Sequence, residues 1–506
     1  MNMKKFISIW FFFLIVFSIL SCSDTNNFAG PPATGDKVVL DSEVNDFVWR
    51  SLNSWYNWQT DSNNLADTKA DDLDEYYTFL NQYTDPSDLM YDLCYKHWRI
   101  VGSENAVDRF SWFIEDFDVH EEGAQGIRTV FGFRYQSVQI NDSGDIIFYM
   151  RHVEPGSPAD IAGIKRGDIV NKLNGTQLTA ANYDTTINAL FEESVTLSFI
   201  SAADGKLTQL EDKSITRTKV VSNPVHFKKV FDNIDGKKVG YLVYNQFSAS
   251  FNDELNDAFA FFKSEGINEL VLDLRLNGGG SVDSAAFLAS MISAATGSGV
   301  FTELNFNAKH QDQNGAWNFT DKLTVYDVNW NAIGSENINR LVGIDKLYVL
   351  VSGSTASASE MVINGLRPYL SQVILIGTTT YGKNVGSITL YDNPSSDYSS
   401  KPRSPTHKMA MQPIVFAAYN KNGESDFIQG FLPDIEVKEW NYWDNILPFG
   451  DENEIVLKAA LDDIRGITAK TLLSKRQQKA RFIDSEKSDY KFDKEMYIDP
   501  GYFNQN

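Results

Sequence analysis

The spacing of apolar side chains changes along the chain and divides it into stretches with different predicted structure. From about residue 41 to 118, apolar residues recur at the three- and four-residue intervals of helices, as in Val44, Phe47, Val48 and Leu52. Breaks rich in Asp, Asn and Ser separate these runs. The pattern predicts a helical N-terminal domain over residues 41–118.

A different texture follows from about residue 128 to 200. Short alternating runs, such as Ile146 to Tyr149, are separated by Gly, Asp and Pro turns, which is typical of strands half-buried in a sheet. This pattern predicts a compact β-rich domain, to which we assign residues 119–205.

The third stretch, residues 206–445, alternates predicted strands and helices. Val239 to Asn245 and Leu270 to Leu274 are continuous apolar runs suited to buried strands, and the amphipathic segment from Asp253 to Ser264 lies between them. We therefore predict an α/β core. In residues 300–345 the apolar side chains show no clear spacing, and this segment is predicted to lie on the surface of the core.

Together these stretches predict a multidomain α/β protein, with residues 446–506 as a C-terminal helical or tail segment. The chain has 506 residues and a formal net charge of −22, which would repel phosphate backbones and argues against nucleic acid as a partner. Its two cysteines, Cys22 and Cys94, cannot build a disulfide framework or a multi-cysteine zinc site. His120 begins a segment like the zinc motif H-E-x-x-H, but Ala124 stands where the second histidine is needed. No metal and no cofactor are predicted.

The N-terminus reads as a targeting segment. Lys4 and Lys5 precede an apolar run from Phe6 to Leu20, which is shorter than the roughly 20 residues that a membrane-spanning helix needs. Residues 1–21 are therefore predicted to be a signal peptide. Its end, Leu-Ser-Cys, resembles the lipobox of bacterial lipoproteins, which implies that Cys22 is lipidated and that residues 22–40 form a tether. Such a protein would face the periplasm or outer membrane of the cell envelope and touch the membrane through its lipid anchor only; ordinary signal cleavage is the alternative.

Three segments of the predicted core carry candidate chemistry. Ser357 follows a predicted strand and begins a predicted helix, where unpaired N–H groups could stabilise an oxyanion, although Ser357 with Glu360 is also a capping box. Lys383 follows the next predicted strand and could act as a base if burial lowers its pKa; a solvated turn lysine is the alternative. The run from Asp273 to Gly280 is a strand that ends in three glycines, and it fits a backbone oxyanion donor better than a phosphate loop.

The β-rich stretch resembles a PDZ domain. Phe131, Gly132 and Phe133 look like the loop that binds a peptide's terminal carboxylate, and the segment from Pro155 to Val170 looks like the domain's central part. The resemblance implies that a peptide adds as a strand to the sheet edge while N–H groups of this loop hold its carboxylate. The alternative is that the domain only packs against its neighbour.

The order of these motifs resembles the C-terminal-processing (tail-specific) serine peptidases, in which a PDZ domain precedes an α/β core with a Ser-Lys dyad. The resemblance implies that Ser357 is the nucleophile and Lys383 the general base, and that the N–H groups of Gly279 and Ala358 form the oxyanion hole. It implies a serine endopeptidase that cleaves polypeptides with free C-termini through an acyl-enzyme.

Two positions depart from the family pattern. Gly278 stands where a proline is usual, and Ser387 stands where the family usually carries a glutamine, four residues after the lysine. The second change removes a hydrogen-bonding group that could orient Lys383. A catalytically silent PDZ-type lipoprotein that binds peptides therefore remains the alternative function.

Overall fold

The structure is a computed structural model that describes residues 37–202, 205–327, 332–395, 397–398, 402–467, 480–485 and 494–498. The predicted signal peptide and Cys22 lie outside these residues. Among the helices of the described part, none combines the length and the apolar character needed to cross a bilayer.

The N-terminal region is helical, as predicted. Its helices are α1 (Glu43–Trp55), α2 (Leu73–Leu80), α3 (Pro86–Leu93) and α4 (Trp98–Val101), and single 3-10 turns lie between α1 and α2. Ser42, Asp72 and Asp85 cap the first three helices by accepting backbone N–H groups, because the first turn of a helix leaves its N–H groups unpaired. The apolar stripe of α1, including Phe47 and Leu52, is buried in the main core.

A short strand, β1 (Trp112–Ile114), and helix α5 (Phe117–Ala124) lead into the β-rich domain. Its elements are β2 (Ile127–Val130), β3 (Phe133–Gln139), β4 (Ile146–Val153), α6 (Pro158–Ile161), β5 (Ile169–Leu173), β6 (Thr176–Gln177), α7 (Tyr183–Thr186), β7 (Ser194–Ser201), β8 (Thr208–Gln209), β9 (Lys213–Thr216) and β10 (Thr218–Val221). Strands β3, β4, β5, β7 and β8 lie in that order in one sheet, and β2 pairs with β10 beside it. The domain encloses its own core, to which Phe131, Tyr135 and Phe148 belong.

The α/β core follows. Its elements are β11 (Val225–Ile234), β12 (Lys237–Tyr244), α8 (Asn252–Glu265), β13 (Glu269–Asp273), β14 (Gly280–Ser281), α9 (Val282–Ile292), β15 (Val300–Phe306), β16 (Gly315–Asn318), β17 (Lys322–Tyr326), β18 (Ala332–Asn337), β19 (Lys346–Val351), α10 (Ala358–Leu366), β20 (Gln372–Gly377), β21 (Val385–Ser387), β22 (Leu390–Tyr391), β23 (Ala410–Gln412), β24 (Ile414–Tyr419), β25 (Ile435–Glu436), α11 (Ile455–Ile464), β26 (Arg481–Ser485) and β27 (Met496–Tyr497).

The central sheet has the order β11-β12-β13-β19-β20-β25, and all neighbours from β12 onward are parallel. Alternate residues of each strand enter two different cores. Leu272 packs on the side of α8 and α9, whereas Val271 packs on the side of α11. Burial on both faces explains why these strands read as continuous apolar runs in the sequence.

A second sheet, of order β14-β27-β21-β24-β15-β16, lies beside the first. The prediction of an irregular surface segment over residues 300–345 is wrong at its start, because β15 pairs antiparallel with β24 and buries Phe301 and Leu304. The segment beyond α11 also differs from its prediction as helix or tail, since β26 and β27 join two separate sheets.

Arginines fasten the β-rich domain to the core. Arg166 donates to the carboxylate of Glu439 at 2.6 Å, and Arg275 donates to Glu439 and Glu454 at 3.0 Å. Arg275 also binds the carboxylate of Asp273 at the end of β13. Buried charges need such partners, so this cluster fixes how the two domains meet close to the glycine turn.

Candidate active site

Ser357 lies between β19 and α10 in a strained backbone conformation. Its φ is 62° and its ψ is −119°, in a region that residues other than glycine seldom adopt. Thr355 holds the preceding turn, because its hydroxyl donates to the carbonyl of Leu274 at 2.7 Å. The serine is fully buried and helix α10 begins at the next residue, so the predicted position at a helix N-terminus is confirmed.

Lys383 reaches the same place from the turn after β20. It is fully buried, and burial lowers the pKa of its amine even though the carboxylate of Glu495 opposes this effect. Its Nζ donates to the Lys494 carbonyl oxygen at 2.8 Å and to Glu495 Oε2 at 3.1 Å. The residue is therefore not a solvated turn lysine, and burial meets the requirement that a lysine base imposes.

The two side chains converge on one atom. Ser357 Oγ donates to the Lys494 carbonyl oxygen at 3.4 Å, and Lys383 Nζ donates to that same oxygen at 2.8 Å. The hydroxyl of Ser357 and the amine of Lys383 therefore lie close together at one buried carbonyl oxygen.

Glu360 connects the backbones that carry these two residues, and the sequence did not predict this role. Its Oε2 accepts the N–H groups of Ser357 and Lys383, each at 2.9 Å. Its Oε1 accepts the Gly382 N–H at 2.8 Å and the Thr380 hydroxyl at 2.6 Å. Burial raises the pKa of Glu360 to about 7 despite these four donors. The capping position marked Glu360 as a partner of Ser357, but nothing in the sequence linked it to Lys383.

The glycine turn after β13 lies directly against Ser357. Gly279 has a φ of 118°, and a Cβ there would lie 2.7 Å from Ser357 Cβ and 3.0 Å from the Ala358 nitrogen. Only glycine fits this approach. The structure thus brings together the four predicted residues Ser357, Lys383, Gly279 and Ala358, while the Gly279 N–H donates to Asn277 Oδ1 at 2.9 Å.

Asn277 fastens this turn to the segment that leads into helix α10. Its carbonyl oxygen accepts the Ala356 N–H at 3.2 Å and the Ser359 hydroxyl at 3.0 Å, and its amide donates to the Tyr244 carbonyl at 3.0 Å. Two of these contacts go to the segment that carries Ser357 and the third goes to the end of β12, so the glycine turn is held between these two parts of the core.

Ser387, where the family usually has glutamine, keeps a polar connection through other residues. Its hydroxyl donates to Glu495 Oε2 at 3.2 Å and accepts from Gln412 Nε2 at 2.9 Å. Gln412 comes from β23, so an amide from another strand contacts Ser387 directly. Neither Gln412 nor Glu495 could be assigned to this site from sequence spacing.

The predicted carboxylate-binding loop faces the same region. Gly132 has a φ of 87°, and a Cβ there would lie 2.0 Å from Ser157 Cβ, so the position requires glycine. Gly132 and Phe133 line one cavity together with Gly278 and Gly279. Phe131 is buried, and its ring lies 6.1 Å from that of Phe133. The loop of the β-rich domain and the glycine turn of the core thus share one opening.

Comparisons with known proteins agree with this architecture. The model of the S41 peptidase N-terminal domain matches residues 43–112, the PDZ domain model matches residues 122–199, and the model of peptidase family S41 matches residues 238–437. The two peptidase models together span more than half of the chain.

Curated relatives and a solved structure match as well. A "Carboxyl-terminal-processing protease" of Picosynechococcus is 25% identical over 49% of this chain and 53% of its own length. A "Probable CtpA-like serine protease" of Staphylococcus aureus is 27% identical over 46% of this chain and 41% of its own. The chain therefore spans about half the length of the curated relatives it matches. A crystal structure from Bacteroides fragilis, of a protein assigned to the S41 proteases, matches with a TM-score of 0.63 and 28% identity over 83% of this chain and 97% of that chain. This protein belongs to peptidase family S41, with a helical N-terminal region, a PDZ domain and an S41 peptidase core.

Proposed function

We propose that the protein is a serine endopeptidase that cleaves polypeptides by means of a Ser357–Lys383 dyad. The observation that carries the proposal is the convergence of Ser357 Oγ and Lys383 Nζ on the Lys494 carbonyl oxygen inside a buried site. In the neutral form the Lys383 amine accepts the serine proton while Oγ attacks the substrate carbonyl carbon. The leaving amine then takes that proton, and water hydrolyses the acyl-enzyme in the same way.

The oxyanion formed by this attack needs donors beside Ser357. We assign that role to the N–H groups of Gly279 and Ala358, since Gly279 packs so closely that an added Cβ would collide with Ser357 and the Ala358 nitrogen. The Gly279 N–H is now held by Asn277 Oδ1, so a substrate oxygen must compete with that side chain.

Substrates are proposed to be polypeptides with free C-termini, held by the loop of Phe131, Gly132 and Phe133. The support is the cavity that this loop shares with the glycine turn, because a peptide bound at the loop would lie next to the turn that packs against Ser357. No cofactor and no nucleic acid enter this proposal.

The activity is tested by incubating the purified mature chain with an unfolded protein and following its cleavage by mass spectrometry. The Ser357→Ala chain is the control. Cleavage by the wild type alone supports the peptidase. Peptide binding without cleavage by either chain supports the catalytically silent PDZ-type peptide-binding lipoprotein instead.

We also propose that Cys22 carries a lipid and anchors the protein in the bacterial envelope. The support is the short apolar run that ends in Leu-Ser-Cys. Expressed in a bacterium, the wild type should partition into membranes, because several acyl chains anchor stably, and Cys22→Ser should not. An unmodified Cys22 in the mature wild type, seen by mass spectrometry, would contradict the proposal.

A further inference from the structure

The C-terminal region of the chain occupies the edge of the PDZ sheet where a peptide ligand would add. Strand β26 pairs antiparallel with β3, the strand that follows the carboxylate-binding loop, from Arg481 opposite Gln139 to Ser485 opposite Gln136. Later tail residues pair with earlier β3 residues, so the tail runs toward the loop. Ile483 packs against the core of the PDZ domain. This is the geometry of peptide recognition by strand addition.

A second part of the same region fills the groove beside the dyad. Strand β27 lies between β14 and β21 and is parallel to both, with Met496 opposite Gly280 and Tyr497 opposite Ser281 and Ser387. Met496 is fully buried. The strand closes a sheet that β14 and β21 would otherwise leave open next to the nucleophile.

The residues before β27 bind the catalytic groups themselves. The Lys494 carbonyl oxygen accepts from both Ser357 Oγ and Lys383 Nζ, and the Glu495 carbonyl accepts the Gly280 N–H at 2.6 Å. The Glu495 carboxylate also binds Lys383 at 3.1 Å and accepts the Trp112 indole N–H at 3.2 Å.

If Ser357 and Lys383 act as nucleophile and base, these contacts would hinder them in two ways. First, the Lys383 amine is engaged by the Lys494 carbonyl oxygen. Second, the Glu495 carboxylate raises the pKa of that amine above the value that burial alone would give, which favours the protonated form, and this form cannot accept a proton. The backbone of the tail also fills the strand position that a substrate would need.

We propose that the C-terminal region, residues 480–485 and 494–498, is an intramolecular peptide ligand that occupies the PDZ edge and the catalytic groove and inhibits the enzyme until a substrate displaces it. This inference rests on the proposed peptidase function. The partner that fits this surface is a segment of the chain itself. Lys494 joins it to Lys383 through its carbonyl oxygen, and Glu495 joins it through its carboxylate.

Two full-length variants test the inhibition. Glu495→Gln keeps the shape of the side chain and removes its charge, and Met496→Asp places a charge in the buried position of β27. Both should turn over an unfolded protein about tenfold faster or more, because a charge-assisted contact to the base or the docking of the strand is lost. Both should also label faster with a fluorophosphonate, which reports the reactivity of Ser357 without any substrate binding. Glu436→Gln, on exposed β25, is the matched control and should behave as the wild type.

A synthetic peptide of residues 491–500 should inhibit the Met496→Asp variant competitively. The same peptide with the Glu495→Gln change should inhibit about tenfold more weakly, because it lacks the contact with the Lys383 ammonium.

Docking is measured separately from catalysis by hydrogen exchange in the Ser357→Ala chain. Residues 494–498 should be protected there, and the protection should be lost when Met496→Asp is added. Equal turnover and labelling of wild type and both variants would overturn the inhibitory role alone. Cleavage of the Lys494–Glu495 bond in the wild type would also overturn it, since the tail would then be a substrate. Absence of both turnover and labelling in Glu495→Gln and Met496→Asp, with the tail of Met496→Asp unprotected, would overturn the proposed function itself.

Discussion

Ser357 combines two features that a purely structural cap does not need. Its φ of 62° stores backbone strain, and its side chain and that of Lys383 are both fully buried against one carbonyl oxygen. Strain of this kind costs about 1–3 kcal/mol and persists only where surrounding contacts enforce it. Here Glu360 supplies such a contact to the Ser357 N–H, and Asn277 supplies contacts to Ala356 and Ser359 on either side of it in the sequence.

The first prediction concerns the dyad. Ser357→Ala and Lys383→Ala should each lower kcat by about 10³-fold or more, because nucleophile and base act as one unit. The double variant should then be no slower than either single variant, as measured by steady-state cleavage of an unfolded protein. Substantial activity in Ser357→Ala would remove that residue as nucleophile, and substantial activity in Lys383→Ala would point to a different base.

Glu360 gives a second prediction, on pH dependence. Burial raises the pKa of this carboxyl to about 7. Its two oxygens accept four hydrogen bonds, and a proton added to one oxygen would compete with the donors that bind there. The brace between Ser357 and Lys383 should therefore weaken as pH falls through about 7, and kcat/KM should fall with it. A further rise at higher pH should follow deprotonation of Lys383, whose pKa lies below its usual 10.5.

The variant Glu360→Gln separates the two pH-dependent changes in kcat/KM, the one near pH 7 and the one at higher pH. The amide turns an NH2 group toward two of the four donors whichever way it points, so we expect a loss of about 2–4 kcal/mol of unfolding free energy. In this variant the change in kcat/KM near pH 7 should vanish, and the rise that follows deprotonation of Lys383 should remain. An unchanged denaturation midpoint together with an unchanged pH profile would show that Glu360 does not brace the site.

At the scale of elements, the sequence predicted those whose signal is local. The apolar runs of β12 and β13 and the amphipathic α8 appear close to their predicted positions, and β19 and β20 are the strands predicted before Ser357 and Lys383. Strands β15, β26 and β27 were not predicted. Their respective partners β24, β3 and β14 are remote in the sequence, and a short strand has too few residues to show a clear alternation of apolar and polar positions.

The candidate site divides in the same way. Ser357, Lys383 and Gly279 could be proposed because each sits in a motif that resembles a family. Glu495 and Gln412 could not, since only the fold brings them to Lys383 and Ser387. Glu360 was visible as a cap, and only its second contact was hidden.

The third prediction concerns the loop that precedes β3. If its N–H groups receive a terminal carboxylate, amidating a substrate peptide should remove a charge-assisted contact of about 1.5–3 kcal/mol and weaken binding by about tenfold or more. Calorimetric titration of the Ser357→Ala chain with both peptides measures this. Gly132→Val should act similarly, because a Cβ there collides with Ser157. Equal binding of the two peptides would reduce the domain to a packing role.

At the scale of the whole molecule, the PDZ domain and the core are joined by the buried cluster around Glu439. Burial would raise the pKa of this carboxyl, but Arg166, Arg275 and Arg151 outweigh it and lower the pKa to about 2. Because the folded pKa lies below the usual 4.5, the ionised carboxylate stabilises the folded protein above pH 4.5. That contribution is lost as the pH falls from 4.5 through about 2.

The fourth prediction tests this junction. Glu439→Gln leaves three buried arginines with less negative charge, and removing one partner of a buried ion pair costs about 3–5 kcal/mol. In urea at neutral pH, the transition that separates the PDZ domain from the core should therefore occur at a much lower urea concentration in Glu439→Gln. The exposed Glu436→Gln should leave the midpoint of that transition unchanged. Between pH 4.5 and 2, the stability of the wild type should fall steeply with pH. The stability of Glu439→Gln should depend less on pH in this range, because the titrating carboxyl is gone. A wild-type midpoint in Glu439→Gln would mean that apolar packing alone holds the PDZ domain against the core.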